Sequence, residues 1–319
     1  MITKAVEALK IIEVPYDETK PMWEVFFEDE GGINKPAIKS YITKPEGRRE
    51  LDDYKTCGVY LTAGIPFDVT QIVSTDTQKP HEEQIHSISN LTAAGLKAGN
   101  CVVMTGGGCS HAIGVVGGLQ KALGKNKKIG FIWLDAHGDF NTPETSNSGL
   151  LGGMPLATIA GLCHGEVFYS WMDSAGMISP LKHSNIILSD GRDMDPEEAK
   201  TLKSTEIVYI NTESFNNPDK WKHAVENLAK RVDVIYLHID GDIMDEKYTP
   251  GQYTAVSGGP EVETVMKNIK TVMETNKVIA FSLVSIFHEN DNPCKELCTL
   301  NGMRIIGTAF SSWKYCPKI

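Results

Sequence analysis

The stretch from Phe131 to Asp139 constrains the fold of this chain more than any other. It begins with the apolar run Phe-Ile-Trp-Leu and ends in Asp-Ala-His-Gly-Asp. A short apolar run predicts a buried strand, and the loops that follow such strands carry the chemistry in parallel α/β sheets. Asp135, His137 and Asp139 alternate, so an extended backbone directs their side chains to one side. Clustered carboxylates repel unless a cation lies between them, which predicts a metal site; the alternative is a charged turn after a core strand.

A second apolar segment ends in the same way. Residues 232–239 read Val-Asp-Val-Ile-Tyr-Leu-His-Ile and run directly into Asp240-Gly241-Asp242. The two strand ends together offer four carboxylates and one imidazole among alternating positions, which is enough for two metal ions that share ligands. Hard oxygen ligands with one imidazole favour Mn²⁺ over Fe²⁺, Co²⁺ or Ni²⁺.

These motifs resemble those of the ureohydrolase family, which includes arginase and agmatinase. The family motifs Asp-Ala-His-x-Asp and Asp-x-Asp-x-x-Asp stand intact at residues 135–139 and 240–245. Further matches follow in family order at Asn141–Thr145, Gly191–Pro196 and Thr249-Pro250, within about residues 56 to 312. The resemblance implies the arginase-like fold, a three-layer α/β/α arrangement around a parallel sheet of eight strands.

Length and patterning favour one large catalytic domain. The chain has 319 residues, of which 41% are hydrophobic. Residues 1–55 are rich in charge and turns, so we expect an extension packed on a single domain of residues 56–319. Alternating strand and helix patterns predict a parallel sheet covered on both faces. Residues 58–66 are predicted as the first strand and its loop, and a final helix over 294–302 is predicted to precede a strand or loop at 304–310.

Composition narrows the class of protein and its setting. The net charge of −10 disfavours a nucleic-acid surface, and the chain contains no run of 18 apolar residues that predicts a membrane span. The first residues lack a signal-peptide core. Seven cysteines without regular spacing predict reduced thiols and a cytoplasmic setting. We expect a small-molecule substrate as partner, and the resemblance implies a homotrimer or homohexamer.

The resemblance implies that six residues hold two divalent metal ions, which in the family are manganese. They are Cys109, Asp135, His137, Asp139, Asp240 and Asp242. Asp135 and Asp240 correspond to the carboxylates that bridge both ions. His137 and Asp242 complete one site, and the remaining two residues complete the other.

The same resemblance implies a hydrolytic mechanism. Two cations lower the pKa of a bridging water, so a nucleophile exists at neutral pH to attack the trigonal carbon of a guanidinium or amidine. Asp242 and His137 are the predicted catalytic residues, with Asp242 guiding the proton toward the leaving amine. Arg192 and Asp193 are predicted to form a supporting ion pair behind this site.

The first departure from the family pattern concerns a metal ligand. The family turn Gly-Gly-Asp-His-Ser reads Gly-Gly-Gly-Cys-Ser at residues 106–110. A Cys109 thiolate in place of an imidazole would favour Zn, Fe, Co or Ni at that site over Mn. The alternative is that Cys109 is a small buried residue beside a weak or empty site. His111 follows two positions later and is expected to face elsewhere.

Two further departures concern the substrate. Arginases carry a histidine at the position of Gly152 and an asparagine at that of Leu150. Family members that cleave guanidines carry a glutamate at the position of Ser285, where it pairs with the cationic guanidinium. Ser285 cannot supply that charge, so arginine and agmatine become doubtful substrates. His288 and Glu289 lie just beyond and are expected to be solvated loop residues.

Other residues match positions that bind substrate in the family. Asn141, Ser148 and Asp195 match positions that bind the amino-acid end of the substrate, and Thr254 matches a threonine near the guanidinium. With Ser285 they make up the predicted substrate site. Together they favour a small polar substrate with an α-amino-acid-like end.

The sequence therefore predicts a dinuclear-metal hydrolase that cleaves a C–N bond, other than a peptide bond, of a linear guanidine or amidine. A modified or less basic arginine analogue suits the missing glutamate. One alternative is a catalytically degraded ureohydrolase-like protein with a regulatory or structural role. Another is a deacetylase-type hydrolase, because that group shares the fold.

Overall fold

The computed structural model describes residues 3–15, 23–30, 33–40, 50–75, 80–250, 252, 254–286 and 294–318. For residues 23–30, 33–40, 50, 80 and 295 it describes the backbone alone. The strands, in chain order, are β1 Thr3–Ala5, β2 Leu9–Val14, β3 Trp23–Glu30, β4 Ile33–Ser40, β5 Phe67–Gln71, β6 Cys101–Gly106, β7 Ile129–His137, β8 Ile186–Asp193, β9 Val208–Asn211, β10 Val234–Asp240, β11 Val278–Val284 and β12 Tyr315–Pro317. The α-helices are α1 Glu50–Thr56, α2 Pro80–Lys97, α3 Ala112–Leu123, α4 Pro155–Ile159, α5 Glu166–Ala175, α6 Pro196–Lys203, α7 Thr212–Phe215, α8 Pro218–Arg231, α9 Val262–Met273 and α10 Lys295–Ser312.

Eight strands form one parallel sheet in the order β5-β2-β6-β11-β10-β7-β8-β9. Every residue of β6, β10 and β11 is buried, which requires cover on both faces of the sheet. Helices α2, α3 and α5 pack together, and α8, α9 and α10 form a second packed row. The predicted three-layer α/β/α fold with an eight-stranded parallel sheet is confirmed.

The strand order determines where the chemistry lies. Strands β6, β11, β10 and β7 are consecutive neighbours in the sheet and run parallel, so their carboxyl ends meet at one edge. The glycine-rich turn after β6, Ser285 after β11, the Asp-Gly-Asp segment of β10 and the Asp-Ala-His segment of β7 therefore converge. This is the edge at which parallel α/β sheets bind ligands.

The first 55 residues supply a strand of the main sheet. Leu9–Val14 lies between β5 and β6, with Ile11 opposite Val69 on one side and Val103 on the other. Strands β3 and β4 pair separately as an antiparallel hairpin. The predicted boundary at residue 55 therefore falls after a strand that already belongs to the sheet.

Two local predictions are wrong. Residues 58–66 are not a strand, because Val59–Ala63 is a 3-10 helix enclosed by Gly58 and Gly64, both with left-handed φ, and the strand begins at Phe67. Residues 304–310 continue α10 instead of forming a strand or loop. Their buried members, Ile305, Ile306, Ala309 and Phe310, recur with helical spacing.

A helix both long and apolar enough to cross a membrane does not occur in the described ranges.

Candidate metal centre

The first group of possible metal ligands combines Cys109, Asp135 and Asp240. Their ligand atoms all lie within 4.8 Å of one another, and the three side chains are buried. Cys109 Sγ lies 3.0 Å from Asp240 Oδ2 and 3.6 Å from Asp135 Oδ2. The turn after β6 thus brings a thiol to two carboxylates from β7 and β10, in a volume that suits one cation.

The second group combines Asp135, His137 and Asp242, again with ligand atoms within 4.8 Å of one another. His137 Nδ1 lies 3.2 Å from Asp242 Oδ2 and 3.4 Å from Asp135 Oδ1. Asp135 is therefore common to both groups. Asp240 belongs only to the first group by this distance, although the sequence suggested that it bridges both.

Asp139 stands beside the first group without meeting its distances. It is buried, lies near enough to the Cys109 side chain to interact with it and has a left-handed φ of 46°. A left-handed aspartate marks a constrained turn, and such residues concentrate at functional sites. Here the turn brings the Asp139 carboxylate back toward Cys109 instead of continuing the strand.

The electrostatics of these residues favour a bound cation. Burial, then the charge of Asp242, raises the pKa of Asp240 to about 7. Burial, then a neighbouring carboxylate, likewise raises the pKa of Asp135, Asp139 and Asp242. The pKa of His137 is raised to about 12, because its hydrogen bonds to Asp135 and Asp242 outweigh the effect of burial.

The residues present fit divalent cations. Burying four like-charged carboxylates is costly, and a cation removes both the repulsion and the need to protonate them. Burial, then the charge of Asp240, also raises the pKa of the Cys109 thiol well above its ordinary value. A cation at the first group would displace that thiol proton, because metal ligands must be deprotonated.

Glycines shape the turn that presents Cys109. Gly106 and Gly107 have φ of +77° and +68°, and a Cβ on Gly106 would lie 2.5 Å from the Val14 carbonyl oxygen. The Gly107 carbonyl accepts a hydrogen bond from the Ser285 backbone N–H at 2.9 Å. The turn is thus packed between β2 and the segment after β11. His111 in the same turn faces away, with Nε2 3.0 Å from Gln84 Oε1, as predicted.

Two site residues were missed from the sequence. The indole of Trp133 donates to Asp135 Oδ2, and the Trp133 ring lies 3.9 Å from the ring of His238. His238 Nε2 lies 3.4 Å from Cys109 Sγ, and burial lowers the pKa of His238 to about 3, which leaves the ring neutral. Strand alternation would have found both residues, because each lies two positions before a metal-type aspartate on the same face.

The predicted ion pair between Arg192 and Asp193 is wrong. Arg192 pairs instead with Asp190 and donates to the Asp242 carbonyl oxygen at 2.9 Å. It also donates to the carbonyls of Met244 and Val256. The guanidinium thus fixes the backbone that carries Asp242. The Asp193 carboxylate, which does not pair with Arg192, is largely exposed and lies 3.8 Å from His137 Nε2.

Among the predicted substrate residues, two bind each other and two make separate local hydrogen bonds. Asn141 Nδ2 donates to Asp195 Oδ2 at 3.1 Å, so these two form one polar unit. Ser148 is exposed and accepts from the Leu150 N–H at 3.2 Å, while Thr254 Oγ1 accepts from Gln252 Nε2 at 3.1 Å.

Ser285 turns toward the candidate metal ligands. It is buried, has a left-handed φ of 58° and lies close enough to influence the Asp240 carboxylate. The side chain therefore lies beside a candidate metal ligand, at a position from which the sequence predicted a contact with substrate. His288 and Glu289 lie outside the described residues.

Comparisons with known proteins all point to the arginase family. The model of the arginase family matches residues 39–300. An arginase from Neurospora crassa is 33% identical over 64% of this chain and 56% of its own length. An arginase from Staphylococcus aureus is 28% identical over 86% of this chain and 82% of its own. The crystal structure of an arginase from Bacillus cereus superposes with a TM-score of 0.75 at 21% identity, over 95% of this chain and 98% of that one.

The matched region spans between 56% and 60% of the length of the fungal arginases. These relatives therefore extend well beyond the region that matches this chain.

Proposed function

Because the chain belongs to the arginase family, we propose that it is a hydrolase that uses two divalent metal ions to cleave a C–N bond of a linear guanidine or amidine. The observation that carries the proposal is the pair of ligand groups sharing Asp135, one ending in a thiol and the other in an imidazole. Two adjoining cation sites with a common carboxylate suit hydrolysis by an activated water.

Six residues would hold the two ions. Cys109, Asp135, Asp139 and Asp240 would form the first site, and His137 and Asp242 would join the shared Asp135 in the second. Mn²⁺ suits the oxygen-rich second site, while the thiol admits Zn, Fe, Co or Ni at the first. Bound divalent cations supply a water of lowered pKa, and hence a nucleophile at neutral pH.

Asp242 is the residue placed to move a proton. Its Oδ1 accepts from the Ala136 N–H at 3.2 Å, and its Oδ2 lies 3.2 Å from His137 Nδ1. With Arg192 fixing the backbone behind it, the carboxylate is held from three directions. It would accept a proton from the attacking water and deliver it to the leaving amine.

The substrate we propose carries less positive charge than arginine. Burying an unpaired guanidinium costs several kcal/mol, and the neutral Ser285 side chain beside Asp240 supplies no carboxylate to pair with it. An N-hydroxylated or otherwise less basic arginine analogue avoids most of that cost. The joined Asn141–Asp195 unit, with Ser148 and Thr254, would bind its amino-acid end.

A catalytically degraded protein is not favoured. Such a protein has no need of four buried carboxylates around one thiol, and their mutual repulsion would be relieved by substitution. Five of the six candidate ligand positions instead carry the residue that the family uses there, and Cys109 is the exception.

Metal content tests the proposal directly. Protein purified without chelator should carry two equivalents of divalent metal per chain, and chelation should abolish release of urea or amine from a panel of linear guanidines and amidines. Readdition of Mn²⁺ should restore it. A protein with no bound metal and no metal-dependent turnover would contradict the proposal.

We also propose a homotrimer or homohexamer. Sedimentation at micromolar concentration would reject this assembly if it returned a monomer.

A further inference from the structure

We infer that His238 is a positioning residue for Cys109, because its Nε2–H donates a hydrogen bond to the sulfur and holds it as a thiolate ligand. This inference rests on the proposed function, since it assigns a role within the first metal site. It links Cys109, the residue that departs from the family pattern, to a second residue on a different strand.

The geometry places the imidazole behind the sulfur. Cys109 Sγ lies 3.4 Å from His238 Nε2 on one side and 3.0 Å from Asp240 Oδ2 on the other. His238 is completely buried, and Trp133 lies against its ring with centroids 3.9 Å apart and planes inclined by 31°. The ring is thus fixed in its plane with Nε2 aimed at the sulfur.

A buried chain of hydroxyls determines which ring nitrogen carries the proton. Tyr236 Oη lies 2.8 Å from Ser282 Oγ, which lies 2.8 Å from His238 Nδ1. Tyr236 and Ser282 are fully buried, and within the described ranges neither hydroxyl has any other hydrogen-bond partner except a 3.5 Å contact from Tyr236 to His238 Nδ1.

Every proton in this chain is satisfied only when Nδ1 is an acceptor, whether the donor is Ser282 at 2.8 Å or Tyr236 at 3.5 Å. If Tyr236 donates to Ser282 and Ser282 donates to Nδ1, the imidazole proton sits on Nε2 and points at the sulfur. With the proton on Nδ1, the Ser282 or the Tyr236 hydroxyl proton would be left without an acceptor in the core. Buried polar groups rarely remain unpaired, so the chain selects the Nε2–H form.

The hydrogen bonds of the acceptor, the Cys109 sulfur, agree with a proton on His238 Nε2. The Cys109 thiol donates to Asp240 Oδ2 at 3.0 Å, which leaves a sulfur lone pair for His238. A cation between Cys109 and the carboxylates replaces the thiol proton and leaves the His238 contact in place. The N–H then withdraws charge from the thiolate, so the cation keeps more of its Lewis acidity than an unsupported thiolate would allow.

Cobalt reports on this hydrogen bond without any activity measurement. Protein loaded with Co²⁺ should show a thiolate-to-cobalt charge-transfer absorption that disappears in Cys109→Ser. His238→Phe removes the donor and raises the energy of the sulfur lone pair. The band should therefore move to longer wavelength, and the Co²⁺ affinity of the first site should fall by about 10- to 100-fold.

Two milder variants keep the test decisive if His238→Phe does not fold. His238→Gln retains an N–H donor and should keep a band close to wild type. Ser282→Ala keeps the ring but no longer selects its protonated nitrogen, so the band should move part of the way toward that of His238→Phe.

The results separate this inference from the proposed function. An unchanged band and affinity in His238→Phe and Ser282→Ala would overturn the role of His238. Wild-type protein that binds two Co²⁺ and turns over without a thiolate band would overturn it too, while leaving the hydrolase intact. Wild-type protein that binds no metal would overturn both.

Discussion

The indole N–H of Trp133 donates a hydrogen bond to Asp135 Oδ2 over a distance of 2.9 Å. The same oxygen faces Cys109, while Oδ1 accepts from the His137 backbone N–H at 2.8 Å and faces the imidazole. The two oxygens of one carboxylate therefore point to different ligand groups. The Trp133 hydrogen bond fixes this orientation, which a carboxylate needs in order to bridge two ions.

Replacing this donor should weaken both metal sites. Trp133→Phe keeps an aromatic ring in the core but lets the Asp135 carboxylate rotate, so we expect metal affinity to fall by about 10- to 100-fold. Competition against a chromophoric chelator measures the effect. Trp221→Phe is a matched control, since Trp221 is equally buried and donates to the Asn268 carbonyl at 3.0 Å. An equal loss of affinity in both variants would attribute the effect to general destabilisation.

Asp135 should be the most damaging single ligand to remove. It alone belongs to both ligand groups, so Asp135→Asn should lower the bound metal from two equivalents toward none. Elemental analysis of the purified variant gives the answer. Asp245→Asn serves as control, because that carboxylate accepts from the N–H groups of Gly258 and Gly259 instead of facing the cluster. Full metal content and activity in the Asp135 variant would refute the proposed ligand set.

Stabilisation by metal should increase with pH. The carboxyl of Asp240 has an ordinary pKa of 3.8 that is raised to about 7 in the folded, metal-free protein. The favourable contribution of its protonated form is complete below about pH 4 and is lost as pH rises through 7. A cation replaces that proton, so metal-free protein loses stability over this range while the loaded protein does not.

Thermal unfolding with and without Mn²⁺ tests this expectation. The difference in Tm should be larger at pH 8 than at pH 5.5. A difference that stays constant, or shrinks as the pH rises, would mean that protonation of the cluster does not compete with metal.

The charge of residue 285 should determine whether the protein accepts a cationic substrate. Wild-type protein should release little urea from arginine or agmatine, whereas Ser285→Glu supplies a partner for the guanidinium. A pairing energy of about 3 kcal/mol corresponds to an increase in kcat/KM for arginine of about 100-fold. Ser285→Gln, of similar size and no charge, is the matched control. Wild-type turnover of arginine at ordinary arginase rates would show that Ser285 does not control substrate charge.

Restoring the family histidine at position 109 should fail on its own. Cys109 Sγ already lies 3.4 Å from His238, which leaves no space for a second imidazole. We expect Cys109→His with Ser285→Glu to gain urea release only when His238→Ala is added. Equal gain without the third substitution would show that the two rings can share the site.

The ligand cluster was predictable because alternation in two apolar strands places Asp135, His137, Asp240 and Asp242 at strand ends. That these two ends lie side by side depends on β10 pairing directly with β7, which no local pattern specifies. Arg192 was assigned to its sequence neighbour, whereas the sheet brings it to Asp190 and the Asp242 carbonyl. Residues 58–66 were wrongly predicted as a strand because they are largely apolar. Gly58 and Gly64 adopt left-handed φ at either end of a 3-10 helix, so the backbone does not stay extended.

The position of Leu9–Val14 inside the sheet has a consequence for the order of folding. During synthesis this strand emerges before its neighbour β6, so its place in the sheet is completed only after Cys101–Gly106 has been made. Pairings between distant segments close late. Val14 pairs with Gly106, at the start of the turn that carries Cys109, so the nascent chain acquires its thiol ligand in position only when the two distant strands have met. Metal capture at the first site would then mark the completion of folding.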